Sequence, residues 1–216
     1  MINKEFKKRF ITSILLICLL ILMYFYNYIL IIALIITTLI SWIEFNGLIV
    51  KIFYDRKVLK FFLKGLSLLY LSFFSLLIIF IKINNPEFIK LIIFPILVSI
   101  SSDLGGFFLG KLIGGPKLSK ISPKKTISGS IGSFIFSLLL IPIFLQIFTG
   151  NSIIKVILFT FTISLITQMG DLFISYLKRK AKVEDTGDLL PGHGGFLDRI
   201  DGIIFAVPAG FLLFNL

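Results

Sequence analysis

Long apolar runs separated by short polar breaks dominate the chain, and each run is close to the roughly 20 residues that an α-helix needs to cross a bilayer. Seven spans are predicted: Phe10 to Tyr26, Tyr28 to Phe45, Phe61 to Ile81, Phe88 to Gly110, Ile127 to Phe148, Ile153 to Leu177 and Leu197 to Leu216. Lys4, Lys7, Lys8 and Arg9 precede the first run and resemble the charged start of a signal peptide. No small-residue cleavage site follows, and a second run begins after Asn27, so the pair predicts a retained helical hairpin.

Composition agrees with a membrane solvent. With 57% hydrophobic residues, 25 Phe and 15% charged residues, the 216-residue chain carries more apolar surface than one soluble core of that size buries. Its fold class is therefore an all-α integral membrane protein, a polytopic helix bundle. The single cysteine, Cys18, lies in an apolar run and offers no disulfide framework. Basic residues are distributed unevenly. If the N-terminus is cytoplasmic, 19 of the 22 Lys and Arg fall on the inner side, and only Lys82, Lys90 and Lys155 fall on the outer. That asymmetry predicts a cytoplasmic N-terminus. The net charge of +11 is then a property of the inner surface, facing anionic lipid headgroups. A nucleic-acid partner is excluded, since no soluble domain carries a basic stripe with interleaved aromatics.

Polar residues inside the apolar runs change the picture. Thr37, Ser41 and Glu44 share one face of the second span, with Trp42 beside them as an interfacial anchor, and residues 46–60 read as a basic interfacial loop or short amphipathic helix. In the fourth span Ser99, Asp103, Gly106 and Gly110 repeat at helical spacing. An intramembrane acid there is costly unless it faces protein or water, which makes Asp103 a candidate functional residue. Ser164, Gln168, Asp171, Ser175 and Lys178 draw a longer polar stripe down the sixth span. Such a stripe predicts an interior face, and a helix-packing role alone gives no reason for Asp171.

Two loops add chemistry. Gly114, Gly115 and Pro116 end the fourth span, and Ser122, Lys124, Lys125 and Thr126 then precede a glycine-rich helix start, a pattern suited to an anion cradle. A solvated loop that only marks topology has the same composition. From Ser175 to Asp201 the chain gathers basic residues, acids and three glycines around its one histidine. Lys178 and Arg179 suit phosphate, Gly194 and Gly195 let backbone amides approach a bound group, and His193 has no spacing that makes a zinc site. Asp198 and Asp201 fall on one face of the first turn of the last span. Capping alone accounts for one of these acids, whereas two of them suit a magnesium ion that also grips phosphates.

These residues resemble the phosphatidate cytidylyltransferase family, also called CDP-diglyceride synthases. Ser175, Lys178, Arg179, Asp185, Gly187, Pro191, His193, Gly194, Gly195, Asp198, Arg199 and Asp201 stand in the order and spacing of its signature. The stretches Gln168 to Asp171, the Asp103 segment and Ser122 to Thr126 also resemble family motifs, so the likeness covers about Ser99 to Asp201. The chain departs from the family at Glu184, Thr186, Phe107, Ile127 and Ser128.

The resemblance implies a multi-pass enzyme of the bacterial inner membrane with its active site facing the cytoplasm. The expected reaction has a phosphatidate oxygen attack the α-phosphorus of CTP and pyrophosphate leave, giving CDP-diacylglycerol for phospholipid synthesis. Residues 1–87 would form three N-terminal spans and residues 88–216 the catalytic domain. Asp171, Asp198 and Asp201 would hold Mg2+, with a second cation left open. Lys178, Arg179, Lys124 and Lys125 would meet phosphates, while Ser122, Thr126, Ser175, Asp103, Asp185, His193, Gly194, Gly195 and Arg199 would shape or bind substrate. CTP, phosphatidate and membrane lipids are the expected partners, and a homodimer is left open. Two rival functions remain at this stage: a CTP-dependent kinase of a polyprenol-type lipid, and an ion or proton transporter using Glu44, Asp103 and Asp171 as a relay.

Overall fold

The computed structural model describes residues 4–85, 87–119, 121–148, 152–187 and 194–215. Those residues are mostly helical, with no strand among them, and an isolated bridge joins Lys117 and Thr126. In chain order the helices are α1 (Lys4–Phe25), α2 (Asn27–Ile52), α3 (Lys57–Asn84), a π-helical turn (Ile89–Ile93) running into α4 (Phe94–Ile113), and α5 (Ile127–Leu138). They continue with α6 (Ile141–Phe144), a 3-10 turn (Leu145–Phe148), α7 (Ile153–Ala181), α8 (Leu197–Ile200) and α9 (Ile203–Phe214).

Among the described residues five stretches are long and apolar enough to cross a membrane: Asn27–Ile52, Lys57–Asn84, Ile89–Ile113, Ile127–Phe148 and Ile153–Ala181. The expected first and seventh spans are not among them. The seventh is interrupted, because α8 makes one turn, the chain turns at Asp201 and Gly202, and α9 restarts with 12 residues. At 1.5 Å per residue α9 is about 18 Å long, well short of a hydrocarbon core. The break falls where Asp198, Arg199, Asp201 and Gly202 interrupt the apolar run that the expected span joined.

The chain forms two compact units. One comprises Met1–Asn84 with Leu177–Arg199, and the other Asn85–Tyr176 with Ile200–Leu216. In the first unit α2 and α3 pack along a seam that includes Leu30, Leu34, Leu48, Leu71, Phe74 and Ile78, all buried. Opposite that seam Ile32, Ile35, Ile36 and Leu39 are exposed, as a lipid-facing stripe must be. Thr38 and Ser75 share a 2.6 Å hydrogen bond, and Trp42 Nε1 donates to the Lys64 carbonyl at 3.0 Å. The segment 46–60, expected as an interfacial loop or short amphipathic helix, is helical except at residues 53–56. Leu48 and Ile49 are buried, so packing carries α2 on to Ile52.

In the second unit the closest helix crossing is α4 against α5. A Cβ on Gly105 would fall 2.3 Å from the Gly132 carbonyl oxygen, and one on Gly132 would fall 2.5 Å from that of Gly105. Only glycine permits this approach, which replaces the hydrophobic drive that lipid cannot supply with backbone-to-backbone packing. Serine hydroxyls reinforce the seam: Ser133 Oγ donates to the Ser102 carbonyl at 2.7 Å, and Ser102 Oγ lies 3.1 Å from Ser164 Oγ on α7. Beyond it an aromatic core closes the unit, with Phe94 edge-on to Phe144 and Phe148 at 5.1 and 4.8 Å.

Gly132→Val is expected to destabilise the protein by about 2 kcal/mol through overpacking, read as a lower thermal midpoint in detergent. Gly47→Ala on α2, where a Cβ meets nothing within 4 Å, is expected to leave that midpoint unchanged or raise it.

Candidate functional site

In the second unit the loop between α4 and α5 is shaped before it is charged. The Leu118 amide donates to the Lys125 carbonyl at 2.9 Å and the Ile127 amide to the Pro116 carbonyl at 3.0 Å, closing a narrow hairpin. The Ser122 carbonyl accepts from the Lys125 amide at 3.1 Å, which turns the chain and presents Lys124 and Lys125 side by side. Thr126 then caps α5, its hydroxyl accepting from the Gly129 amide at 3.1 Å. The hydroxyl expected to meet an anion is thus engaged in starting the helix, and Ser122 is engaged through its backbone in the turn.

Beneath the hairpin lies a cavity of about 260 Å3, lined by Asp103 from α4, Lys124, Lys125 and Thr126 from the loop, and Gln168 and Asp171 from α7, among others. The polar stripe of α7 faces inward as its spacing predicts. Ser164 is fully buried, Gln168 Oε1 accepts from Ser130 Oγ at 2.6 Å, and Asp171 is ion-paired with Lys125. Ser175 Oγ lies 3.4 Å from Asp171 Oδ1. Gly170 brings the turn before α9 against α7, where a Cβ would fall 2.8 Å from the Asp201 carbonyl oxygen.

Asp201 is 8% exposed, and its Oδ1 accepts from the Gly202 amide at 2.8 Å. Its charged neighbours are Asp171, Asp103 and Lys125. Asp201 is the buried member of this group, while Asp171 is half-buried and Asp103 exposed. Carboxylates so placed repel one another, and the repulsion weighs most on the buried Asp201.

The first unit holds the other half of the expected residues. α7 ends in a Schellman-type turn, with the Val183 amide donating to the Lys178 carbonyl at 3.0 Å and Lys182 at φ +56°. Lys178 Nζ contacts Asp198 Oδ1 at 2.6 Å, and the Thr186 amide donates to Asp198 Oδ2 at 2.8 Å. The two acids expected on one helical turn part company here. Asp198 lies within α8, whereas Asp201 lies in the turn after it, because its carboxylate engages the Gly202 amide and the helix restarts at Ile203. Gly195 admits Thr186 and Asp198, since a Cβ there would fall 2.0 Å from Thr186 Oγ1. Gly194, at φ +79°, adopts a backbone that L side chains rarely take, beside the Asp185 carboxyl. Arg179 and Arg199 are exposed. His193 and Pro191 lie outside the described residues.

Sequence reasoning left Glu44 open between a cavity liner and an interfacial acid. It is 4% exposed and accepts from the amides of Phe196 and Leu197 at 2.9 and 2.8 Å. Only its polar neighbours Thr37 and Ser41 signalled that this face of α2 turns inward, and nothing in the local pattern named a partner some 150 residues away.

Donor chemistry fits a hard divalent cation such as magnesium, because the clustered groups are carboxylate oxygens with excess negative charge. The side chains do not converge on one point: among the described residues no three His, Cys, Asp or Glu side chains form a group that could hold a metal ion. Lys125 already engages Asp171 and Lys178 already engages Asp198, so an arriving cation competes with a lysine at either carboxylate.

Known proteins resemble this chain. It is 44% identical over 115 residues to a phosphatidate cytidylyltransferase of Helicobacter pylori, covering 53% of this chain and 43% of that protein. It is 42% identical over 142 residues to a protein of the same name in Bacillus subtilis, covering 63% and 52%. A Rickettsia bellii protein of that name is 39% identical over 145 residues, covering 63% and 62%. The chain thus spans about half the length of the curated relatives it matches. A sequence model described as the cytidylyltransferase family matches residues 1–216, and with a match over its whole length this chain belongs to the cytidylyltransferase family.

Proposed function

We propose that this chain transfers CMP from CTP to phosphatidate, releasing pyrophosphate and forming CDP-diacylglycerol. The observation that carries the reading is one cavity lined by Asp103 and Asp171 together with Lys124 and Lys125 of the hairpin, with the buried Asp201 close enough to act on both acids. A phosphatidate oxygen attacks the α-phosphorus of CTP, a new P–O bond forms, and the bond to the β-phosphate breaks. Phosphatidate is already an oxyanion at neutral pH, so the reaction needs alignment and charge neutralisation more than a strong base. That burden matches what these side chains offer.

Lys124 and Lys125 are positioned in this reading to meet phosphate oxygens at the cavity, with Lys178 and Arg179 as further phosphate contacts. A divalent magnesium ion, held by Asp171 and Asp201 with Asp198 as a further expected ligand, would supply the charge that lets two polyanions approach. Asp103 keeps the cluster negative. Ser175 steadies Asp171, Asp185 and the glycines of the signature shape the loop, and acyl chains stay among the apolar helices. Seven crossings, a cytoplasmic N-terminus, an inner-membrane location with the site on the cytoplasmic side, a division at residue 87 and a homodimer belong to the same proposal. The uneven placement of lysine and arginine supports the cytoplasmic N-terminus and the side of the site, and the five long apolar helices among the described residues support a multi-pass membrane protein.

Incubating the purified chain with phosphatidate and CTP labelled at the α-phosphate is expected to give labelled lipid and free pyrophosphate. Labelled CDP with an unlabelled lipid product would instead mark a lipid kinase and overturn the reading. Asp201→Asn preserves size and the acceptor for the Gly202 amide, so it is expected to cut turnover by at least about a hundredfold, the order for losing a transition-state electrostatic group, with an unchanged thermal midpoint. Chelation of divalent ions is expected to stop the reaction and added Mg2+ to restore it. Turnover that persists in chelator would remove the metal from the account.

A further inference from the structure

Glu44 is an acid in the middle of the N-terminal sequence half, yet its hydrogen-bond partners among the described residues belong to the signature segment. Its Oε1 accepts from the Phe196 amide at 2.9 Å, and its Oε2 accepts from the Leu197 amide at 2.8 Å and lies 2.8 Å from Thr186 Oγ1. A buried carboxylate is tolerated only when such donors replace water. The approach is tight, since a Cβ on Gly187 would fall 2.6 Å from Glu44 Oε1.

Thr186 extends the contact to Asp198. Its amide donates to Asp198 Oδ2 at 2.8 Å, and its hydroxyl lies 3.0 Å from the same oxygen. That hydroxyl has one proton for two carboxylate oxygens, Glu44 Oε2 and Asp198 Oδ2. How Glu44 holds Thr186 therefore sets how Thr186 addresses Asp198, whose other oxygen is held by Lys178. A plain helix anchor would need the two amides of the 196–197 turn and no chain of contacts ending on Asp198.

We propose that Glu44 is a positioning residue: through Thr186 and the amides of Phe196 and Leu197, the α2 carboxylate fixes the orientation of Asp198 and so couples the N-terminal helices to turnover. The proposal rests on the CMP-transfer reading, in which Asp198 takes part in the reaction. Glu44→Gln keeps the side chain's size but turns an amide N–H2 toward donors, leaving one of them unpaired. Thr186→Val removes only the hydroxyl and tests the same chain if the first variant fails to fold.

The experiment compares the full chain in lipid nanodiscs by amide hydrogen exchange and by steady-state kinetics. In Glu44→Gln, exchange at Phe196, Leu197 and Thr186 is expected to rise about tenfold, and kcat to fall by a similar factor, the order for leaving a buried donor unpaired, while KM for CTP stays unchanged. Thr186→Val is expected to lower kcat in the same way, Thr186→Ser to retain more activity than Thr186→Val, and the Glu44→Gln/Thr186→Val pair to lose less than the product of the single losses. Unchanged exchange in Glu44→Gln overturns the clamp. Faster exchange with wild-type kcat overturns its role in turnover, as does a double variant whose losses multiply. A wild-type chain that makes no CDP-diacylglycerol overturns the functional reading instead, and the exchange rates then decide the clamp by themselves.

Discussion

Carboxylates gathered close to one another are the constraint on which the site depends. Asp171 is paired with Lys125, and Asp103 and the buried Asp201 act on the same region. In water such crowding costs little, whereas beside apolar helices mutual repulsion is expensive. A protein meant only to be stable would gain by replacing these acids with packed apolar residues. Retaining them makes sense if the cluster meets positive charge during its work, as the proposed reaction requires, and Lys124 and Lys125 of the neighbouring hairpin line the same cavity.

Glycine and serine supply the rigidity that such a cluster needs. Where Gly105 meets Gly132 the backbones of α4 and α5 touch, and the hydroxyls of Ser102, Ser133 and Ser164 tie that crossing to α7. These contacts set the walls of the cavity on which Asp103, Lys125 and Asp171 are mounted. In the first unit rigidity has a different source. There a single buried acid, Glu44, binds backbone amides and a hydroxyl of the signature segment, so hydrogen bonds to charge replace close helix packing.

Much of this was legible in the chain itself. The helical class followed from apolar run length, and the inward stripe of α7 followed from the spacing of Ser164, Gln168 and Asp171. Other features were hidden for physical reasons. The break after α8 falls among Asp198, Arg199, Asp201 and Gly202, whose polarity marks a site equally well as a helix start or as an interruption. Thr126 reads alike as an anion ligand or as a helix cap, and only coordinates show that its hydroxyl accepts from Gly129. The partners of Glu44 are long-range, so periodicity marked its face and not its contacts.

The central claim is that the carboxylates of α7 and of the turn before α9 receive a divalent cation together with the nucleotide. Electron paramagnetic resonance of Mn2+, used in place of magnesium, measures this directly on the chain in nanodiscs with a non-hydrolysable CTP analogue. The account predicts that Mn2+ binds the wild-type chain more tightly when the analogue is present and that Asp171→Asn loses that gain. Equal Mn2+ binding by the two proteins, with and without the analogue, would contradict it.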